Sequence, residues 1–297
     1  MVNWVYPRGT AAQTNWDVSL GTSDSTLQVE DWKHTGLKVA TLAPNGAVVL
    51  PPHAEERIVI PLNGSFSVDV GGTVHELTGR ANVFSGPTDV LYSGINTALT
   101  ISSTDGGRVA IATAPAKTSY PTRLVTAAEI PVELRGAGNC SRQVHNFGTP
   151  AALEADRFIV CEVITPAGNW SSYPPHKHDE EKDGETSLEE IYYFETQVAA
   201  GSSAPGGTDA IGYQRVYASD ERPIDVAAEV RTGDVVLVPY GWHGPAMAAP
   251  GYDMYYLNVM AGPGPLREWL ISDDPHHGWV RQSWDGLDVD PRLPFSR

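Results

Sequence analysis

A repeat inside the chain constrains its fold more than any other feature. The tract PPHAEE begins at Pro51, and the similar tract PPHKHD begins at Pro174, 123 residues later. A β-rich run that opens with a glutamate goes with each tract. In the first copy it begins at Glu56, the last residue of the tract, and in the second copy it begins at Glu190. A second pair of segments also matches, since residues 79–89 and 233–243 each contain a glycine turn, an apolar strand and a Gly/Pro turn. The simplest account is a duplicated domain.

The rest of the sequence predicts that each copy is a β-barrel. Short apolar runs such as VVLV at 235–238 alternate with turn signals, and the 29 glycines and 23 prolines supply many turns. The clearest helical candidates are minor, residues 126–134 and 265–271. We therefore predict an all-β chain of two tandem barrels, an N-terminal barrel over 1–130 and a C-terminal barrel over 131–297, with a surface loop at 197–212.

The charge balance excludes two classes of partner. The chain has 36 acidic and 20 basic residues, a formal net charge of −16, and its basic residues form no cluster. Such a surface repels phosphate backbones and anionic headgroups, so we expect neither nucleic-acid nor membrane binding. No apolar run approaches the ~18 residues of a membrane span, and the first residues do not resemble a signal peptide. Cys140 and Cys161 do not make a disulfide framework, so we expect a cytoplasmic protein.

Four residues of the second copy form a pattern typical of a metal centre. His176 and His178 are two residues apart, which on a strand places both side chains on one face. Glu190 opens the next strand, and His243 follows a distant Gly/Pro turn. Glu190 is preferred to Glu189 because it shares a strand face with aromatic residues expected inside the barrel. Three imidazoles and a carboxylate suit one divalent transition metal and leave positions open for a substrate.

The order His-x-His, Glu and then Gly-x5-Pro-x-Gly-x-His resembles the two motifs of the cupin superfamily, and the duplication resembles a bicupin. The distance between His178 and Glu190 is longer than is usual in cupins. Residues 179–187 therefore read as an inserted acidic loop. The run 179–190 contains seven acids and one lysine, a composition typical of a solvated face.

Longer tracts resemble the 5-deoxy-glucuronate isomerase family of myo-inositol catabolism along nearly the whole chain. The tracts are GNWSSYPPHKHD at 168–179, LEEIYY at 188–193, RGAGNCSRQV at 135–144 and DPHHGWVR at 274–281. The resemblance implies isomerisation of 5-deoxy-D-glucuronate to 2-deoxy-5-keto-D-gluconate, an aldose-to-ketose conversion. The alternatives are a 5-keto-4-deoxyuronate isomerase, a cupin oxygenase of a small organic acid, and a sugar-binding cupin without activity. The metal stays open among Zn, Mn, Fe and Ni.

Several other residues are candidates for contacting a uronate substrate. Arg142 and Lys177 are cations that could bind its carboxylate, although alternation with two inward histidines favours an outward Lys177. Tyr192 shares the face of Glu190, and Tyr256 lies on the strand after the second motif, where parity alone does not decide its direction. The catalytic base is left open between Tyr192, Lys177 and a metal-bound hydroxide.

The first copy lacks the full pattern. His53 aligns with His176, but Glu55 and Asp89 stand where the second copy has His178 and His243. We expect a degenerate barrel without a metal there. The C-terminal segment with His276, His277 and Trp279 is predicted to cover a barrel mouth, meet a neighbouring subunit or form an exposed turn, so a homo-oligomer stays open.

Overall fold

The computed structural model describes residues 3–219 and 222–295, and these are almost entirely β-strands and turns. The helices among them are short 3-10 segments at Val83–Ser85, Gly138–Cys140 and Gly278–Trp284. Both predicted helices are wrong. Pro131 interrupts residues 126–134, which pass from a turn into a strand, and residues 265–271 are bends and extended chain in which the Leu270 carbonyl accepts a hydrogen bond from the Thr186 N–H. Across the described residues, no helix has the length and apolar character to cross a membrane.

The first half of the chain contains ten strands. They are β1 (Val5–Tyr6), β2 (Val18–Leu20), β3 (Gly36–Leu42), β4 (Gly46–Leu50), β5 (Glu55–Val70), β6 (Thr73–Arg80), β7 (Val90–Ser93), β8 (Leu99–Ser103), β9 (Gly107–Pro115) and β10 (Arg123–Val125). Strands β2 to β10 form one nine-stranded sheet that curls around an apolar core. The long strand β5 takes part in both sides of this barrel, because it pairs with β7 and β9 before a register shift and with β6 and β8 after it.

The second half contains fourteen described strands. They are β11 (Val132–Arg135), β12 (Arg142–Gly148), β13 (Ile159–Thr165), β14 (Trp170–Ser171), β15 (His176–Lys177), β16 (Asp179–Lys182), β17 (Glu185–Ser187), β18 (Glu189–Val198), β19 (Gly212–Ser219), β20 (Arg222–Val230), β21 (Val235–Val238), β22 (Trp242–Ala248), β23 (Tyr252–Ala261) and β24 (Ser272–Asp273). A seven-stranded sheet in the order β1-β21-β18-β23-β13-β12-β11 faces a six-stranded sheet of β14, β15, β19, β20, β22 and β24. The β16–β17 hairpin stands apart from both.

Alternation along β18 explains how the two halves pack. Ile191 and Tyr193 belong to an apolar cluster that also contains residues of the first half, such as Ile58 and Tyr92. Tyr192 and Phe194 point the other way, into the space between the two sheets of the second half. One face of β18 therefore packs the second barrel against the first, and the other face lines the interior of the second barrel.

The sheets divide the chain close to the predicted boundary at residue 130. Every described strand from β2 to β10 pairs within the first half, and every described strand from β11 to β24 pairs with the second half or with β1. Strand β1 crosses over, because Val5 pairs with Val236 of β21. The domain assignment of 1–130 and 131–297 stays a prediction, and the first residues of the chain contribute to the other half's sheet.

Candidate metal centre

The four residues of the predicted metal centre lie together between the two sheets of the second barrel. His176 on β15 pairs directly with His243 on β22, His178 follows β15, and Glu190 is the second residue of β18 in the facing sheet. All four side chains are buried. Gly244 allows β22 to approach this closely, because a Cβ atom at that position would lie 1.8 Å from the carbonyl oxygen of Ser172.

The candidate ligand atoms converge. One ligand atom each of His178, Glu190 and His243 lie within 4.8 Å of one another, and among the described residues this is the metal-type cluster that the geometry brings together. The Nε2 atoms of His178 and His243 are each 3.2 Å from the same Glu190 oxygen, Oε2. The His176 ring completes the group, with its centroid 4.5 Å from that of His243 and 6.3 Å from that of His178.

Backbone carbonyls orient all three imidazoles in the same way. The Nδ1 atoms of His176, His178 and His243 lie 3.1–3.2 Å from carbonyl oxygens of Pro174, Leu188 and Gly241 respectively. A carbonyl can only accept, so each Nδ1 carries a proton, and Nε2 is the nitrogen of each ring that is left to bind a metal. His243 Nε2 makes no hydrogen bond despite its closeness to Glu190. A buried lone pair without a donor, beside a carboxylate, is what a metal cation satisfies.

The charges of the cluster are consistent with this geometry. Burial and the neighbouring imidazoles of His243 and His178 keep the pKa of His176 well below its usual value, so this ring is neutral. Burial alone would raise the pKa of Glu190, but the adjacent imidazoles of His178 and His243 outweigh burial and lower the pKa to about 2. The site therefore contains an ionised Glu190 carboxylate and a neutral His176 imidazole, the protonation states that a metal requires of these two ligands.

Three hydroxyl groups lie beside the cluster. Ser172 Oγ is 3.1 Å from the Tyr192 hydroxyl and 3.2 Å from the Tyr256 hydroxyl, and all three side chains are buried. The Tyr192 ring centroid is 6.4 Å from that of His243, so this hydroxyl group adjoins the candidate metal ligands. Tyr192 and Tyr256 were candidates from the sequence, whereas Ser172 was not singled out. Its only sequence signal is its place in the tract GNWSSYPPHKHD.

A cavity of about 460 Å³ opens next to His176. It is lined by Arg135, Arg142, His176, Trp269, Ile271, Asp273 and Arg281. Burial, and secondarily the charges of Arg135 and Arg281, lower the pKa of Arg142 to about 10, although Tyr256 opposes the shift. The structure thus places the predicted Arg142 near the cluster, and it adds residues of the C-terminal segment that the spacing of motifs did not indicate.

Lys177 lies away from this cavity. Its Nζ is 2.7 Å from Asp179 Oδ1 and 2.8 Å from Glu185 Oε1, beneath the Trp242 ring. Burial opposes its charge, but hydrogen bonds to Asp179 and Glu185 outweigh burial and raise the pKa of Lys177 above its usual value. The structure therefore does not bring Lys177 to the candidate ligands, because alternation along β15 turns it outward. The predicted acidic loop is a β16–β17 hairpin, and two of its acids are buried as partners of this lysine rather than solvated.

Glu189, the neighbour of Glu190, does not belong to the candidate metal centre and links the two halves of the chain. Its carboxylate accepts hydrogen bonds from the backbone N–H groups of Lys33, His34 and Thr35 in the first half, at 2.5–3.1 Å. Neighbouring glutamates on one strand thus point to opposite faces, Glu190 into the barrel and Glu189 into the junction between the halves.

The corresponding region of the first barrel has a different content. Ile58 of the first barrel and Ile191 of the second both pack into the junction between the halves, so they are equivalent positions. The residues that precede them are then equivalent too, and Arg57, rather than Glu56, occupies the inward position that Glu190 has in the second copy. The Arg57 guanidinium donates to carbonyls of Thr97 and Pro51. A fixed cation at this position opposes metal binding.

The first-copy residues Glu55 and Asp89 form hydrogen bonds with backbone N–H groups and do not form a cluster with one another. Glu55 accepts from the N–H of Ser23, and Asp89 accepts from those of Thr78 and Ala127. His53 is only half-buried.

The fold and the site together define a two-barrel cupin whose second barrel carries a cluster suited to a metal. The chain belongs to the KduI/IolB family, which it matches over residues 9–280. It is 41% identical to the 5-deoxy-glucuronate isomerase of Geobacillus kaustophilus over 255 residues, 85% of this chain and 87% of that protein. It is 36% identical to the Bacillus subtilis strain 168 protein of the same name over 258 residues, 86% of this chain and 90% of that one.

Solved structures agree with this assignment. The crystal structure of an IolB-like protein from Salmonella typhimurium has a TM-score of 0.82 and 32% identity, covering 94% of this chain and 99% of that one. The oxalate decarboxylase of Lactobacillus farciminis has a TM-score of 0.60 at 11% identity, covering 98% and 95% of the two chains, and shares the fold alone. The prediction of tandem cupin barrels and the family resemblance are both confirmed.

Proposed function

We propose that this chain is a metal-dependent isomerase that converts 5-deoxy-D-glucuronate to 2-deoxy-5-keto-D-gluconate. The observation that carries the proposal is the buried cluster of His178, Glu190 and His243, with His176 beside it, in a chain that is 41% identical to a 5-deoxy-glucuronate isomerase over 85% of its length. Aldose-to-ketose isomerisation moves one proton between adjacent carbons and one between their oxygens. A site for it needs a means of stabilising oxygen charge and groups that relay protons.

The residues of the cluster fit a divalent transition metal. His178 and His243 would bind it through Nε2 and Glu190 through its carboxylate, since one ligand atom of each lies within 4.8 Å of the others and the Nδ1 atoms contact backbone carbonyls. His176, whose ring centroid is 4.5 Å from that of His243 and whose Nδ1 also contacts a carbonyl, would be the fourth ligand. When bound, such an ion supplies Lewis-acid polarisation of a carbonyl oxygen and its neighbouring hydroxyl.

The protein's own contribution is a connected set of hydroxyl groups. Tyr192 and Tyr256 both contact Ser172 Oγ, so the three can pass a proton along one chain without exposing it to bulk water. Burial and the charge of Glu190 raise the pKa of Tyr192 well above its usual value, and this keeps the phenol protonated as a hydrogen-bond donor. Their contacts beside the cluster support these hydroxyl groups, rather than Lys177, as the groups that move protons.

Adjacent glutamates provide a matched test of the metal site. We expect Glu190→Gln and His243→Ala to lose bound metal and to reduce turnover of 5-deoxy-glucuronate by more than about 100-fold, since each removes a direct ligand. Glu189→Gln, which changes the next residue of the same strand, should retain metal. Metal content by elemental analysis and turnover should be measured on the same samples. Full activity of metal-free His243→Ala protein would refute a metal-dependent mechanism.

Substrate and reaction type require a separate assay. The wild-type protein should turn over 5-deoxy-glucuronate faster than 5-keto-4-deoxyuronate, consume no oxygen and incorporate solvent deuterium at the carbon that receives the proton. Turnover of the second compound alone would point to the ketouronate reaction. Substrate-dependent oxygen uptake would point to an oxygenase.

A further inference from the structure

Three arginines line the cavity beside His176, and they differ in how they are neutralised. Arg135 donates two hydrogen bonds to the carboxylate of Glu133, and Arg281 donates two to that of Asp273. Arg142 has no ion pair with any residue that the structure describes, although only 5% of it is exposed. Within the described part of the chain, its guanidinium makes one hydrogen bond, to the carbonyl oxygen of Cys140 at 3.1 Å.

A buried guanidinium without a counter-ion destabilises the folded protein. It can form five hydrogen bonds, and a buried charge without a counter-ion is less stable than a paired one. Two acids nearby, Glu133 and Asp273, are already committed to the other arginines. Arg142 is therefore a cation without a counter-ion among the described residues, and it lines a cavity that is also lined by the candidate metal ligand His176.

A second residue of the same cavity, Trp269, has a donor without an acceptor. The indole Nε1 of Trp269 is buried and has no hydrogen-bond partner among the described residues. Trp269 lines the cavity together with Arg142. A guanidinium without a counter-ion and an indole N–H without an acceptor, on two residues that line one cavity, indicate that the missing group is an acceptor, and the charge of Arg142 indicates that it is an anion.

We infer that Arg142 and Trp269 Nε1 form the binding subsite for the carboxylate of the substrate, with the C-terminal segment 269–284 as its outer wall. The segment is held there by β24, where Asp273 pairs with His176, and by Trp284, whose ring lies 5.8 Å from the Arg142 guanidinium and 5.6 Å from that of Arg281. The inference rests on the proposed function for the identity of the substrate. It adds that the enzyme selects sugar acids over neutral sugars by this subsite, while the other end of the substrate lies at the cluster.

The test compares 5-deoxy-glucuronate with the neutral sugar that has CH₂OH in place of its carboxylate. We expect Arg142→Gln to lower kcat/KM about 100-fold for the acid, the loss of a paired charged hydrogen bond, and only a few-fold for the neutral sugar. Arg142→Lys should retain part of the preference, and Trp269→Phe, which keeps the ring but removes the N–H, should lower it about 10-fold. Arg292→Gln, which removes the same charge outside the cavity, should leave the preference unchanged.

Stability distinguishes recognition from a structural role. Because Arg142→Gln removes a buried charge without a partner, its Tm should be no lower than that of the wild type, whereas a structural arginine would lower it. Equal losses for acid and neutral sugar, or a lower Tm with unchanged preference, would overturn the inference.

A binding measurement separates this inference from the proposed reaction. Titration of metal-loaded protein with D-glucuronate and with D-glucose, followed by calorimetry, should show a preference for the acid that Arg142→Gln abolishes. This result would support the subsite even if 5-deoxy-glucuronate is not turned over. Equal binding of D-glucuronate by the wild type and Arg142→Gln would refute the subsite even if the isomerase activity is present.

Discussion

At the scale of single residues, Ser172 is the clearest contribution of the structure. It adopts φ of 46°, in the left-handed region that side chains other than glycine rarely occupy. Its Oγ connects the hydroxyls of Tyr192 and Tyr256. Strained backbone that holds a polar group beside a cluster of candidate ligands is typical of an active site.

Two substitutions at Ser172 distinguish the effect of its hydroxyl group from the effect of its backbone conformation. Ser172→Ala and Ser172→Gly both remove the link between the tyrosines, and we expect each to lower kcat by about 10- to 100-fold while binding the metal normally. Glycine also relieves the left-handed conformation, so Ser172→Gly should be about 1 kcal/mol more stable than Ser172→Ala. Steady-state kinetics and denaturant unfolding measure the two effects. Full kcat in the alanine variant would contradict a role in proton transfer.

The residues of the candidate site were predictable to different degrees. Strand parity is local, so the grouping of His176, His178 and Glu190 and the outward turn of Lys177 could be expected from spacing alone. The environment of Arg142 could not be predicted, because it depends on Trp269 and Arg281, which are more than a hundred residues away in the chain. No periodicity of the sequence reports such a contact, or the absence of a counter-ion.

At the scale of secondary-structure elements, the two halves hold each other through reciprocal carboxylates. Glu56 at the start of β5 accepts hydrogen bonds from the backbone N–H groups of Asp156, Arg157 and Phe158 in the second half, at 2.7–2.8 Å. Glu189 at the start of β18 does the same for residues 33–35 of the first half. The equivalent glutamates of the repeat are thus Glu56 and Glu189. A shift of one residue moves a side chain to the other face of a strand, so the sequence match of Glu56 with Glu190 was out of register.

Strands β6 and β13 form a further link, which is an ion pair without solvent contact. Arg80 donates two hydrogen bonds of 2.7 Å to Glu162, and His145 and Tyr255 also contact this carboxylate. Removal of one charge of such a pair leaves the other buried and unpaired. We expect Glu162→Gln and Arg80→Met each to lower the free energy of unfolding by about 3–5 kcal/mol, and the double variant to lose much less than the sum. Additive losses in denaturant unfolding would contradict a direct pair.

The same pair predicts a dependence on pH. Burial alone would raise the pKa of Glu162, but the charge of Arg80 and hydrogen bonds from His145 and Arg80 outweigh it and lower the pKa to about 2. A folded-state pKa below the unfolded value contributes stability above the unfolded pKa, and this contribution is lost as pH falls toward the folded value. The stability difference between wild type and Glu162→Gln should therefore narrow between about pH 4.5 and pH 2. A difference that stays constant over this range would show that Glu162 is not held as an anion.

At the scale of the whole molecule, the duplication predicted the two barrels but not how they share strands. A repeat of similar tracts implies two similar units, and the family match confirms the cupin architecture. Strand β1 has only two residues, Val5 and Tyr6, and it completes the sheet of the opposite half by pairing with β21. So short a strand has no readable alternation, and its partner is chosen by the packing of the halves, which spacing does not encode.

The net charge of −16 makes a final prediction about substrate encounter. A uronate anion is repelled by the chain as a whole and attracted only within the cavity, where Arg142 is the cation without a protein counter-ion among the described residues. Salt at 0.15 M screens charges over about 8 Å, so it weakens the long-range repulsion more than it weakens a buried contact. We therefore expect kcat/KM for 5-deoxy-glucuronate to rise or stay level between low and physiological salt. For the neutral sugar, kcat/KM should not depend on salt concentration. A steep fall with salt for the acid alone would mean that a basic surface steers the substrate, contrary to a local attraction confined to the cavity.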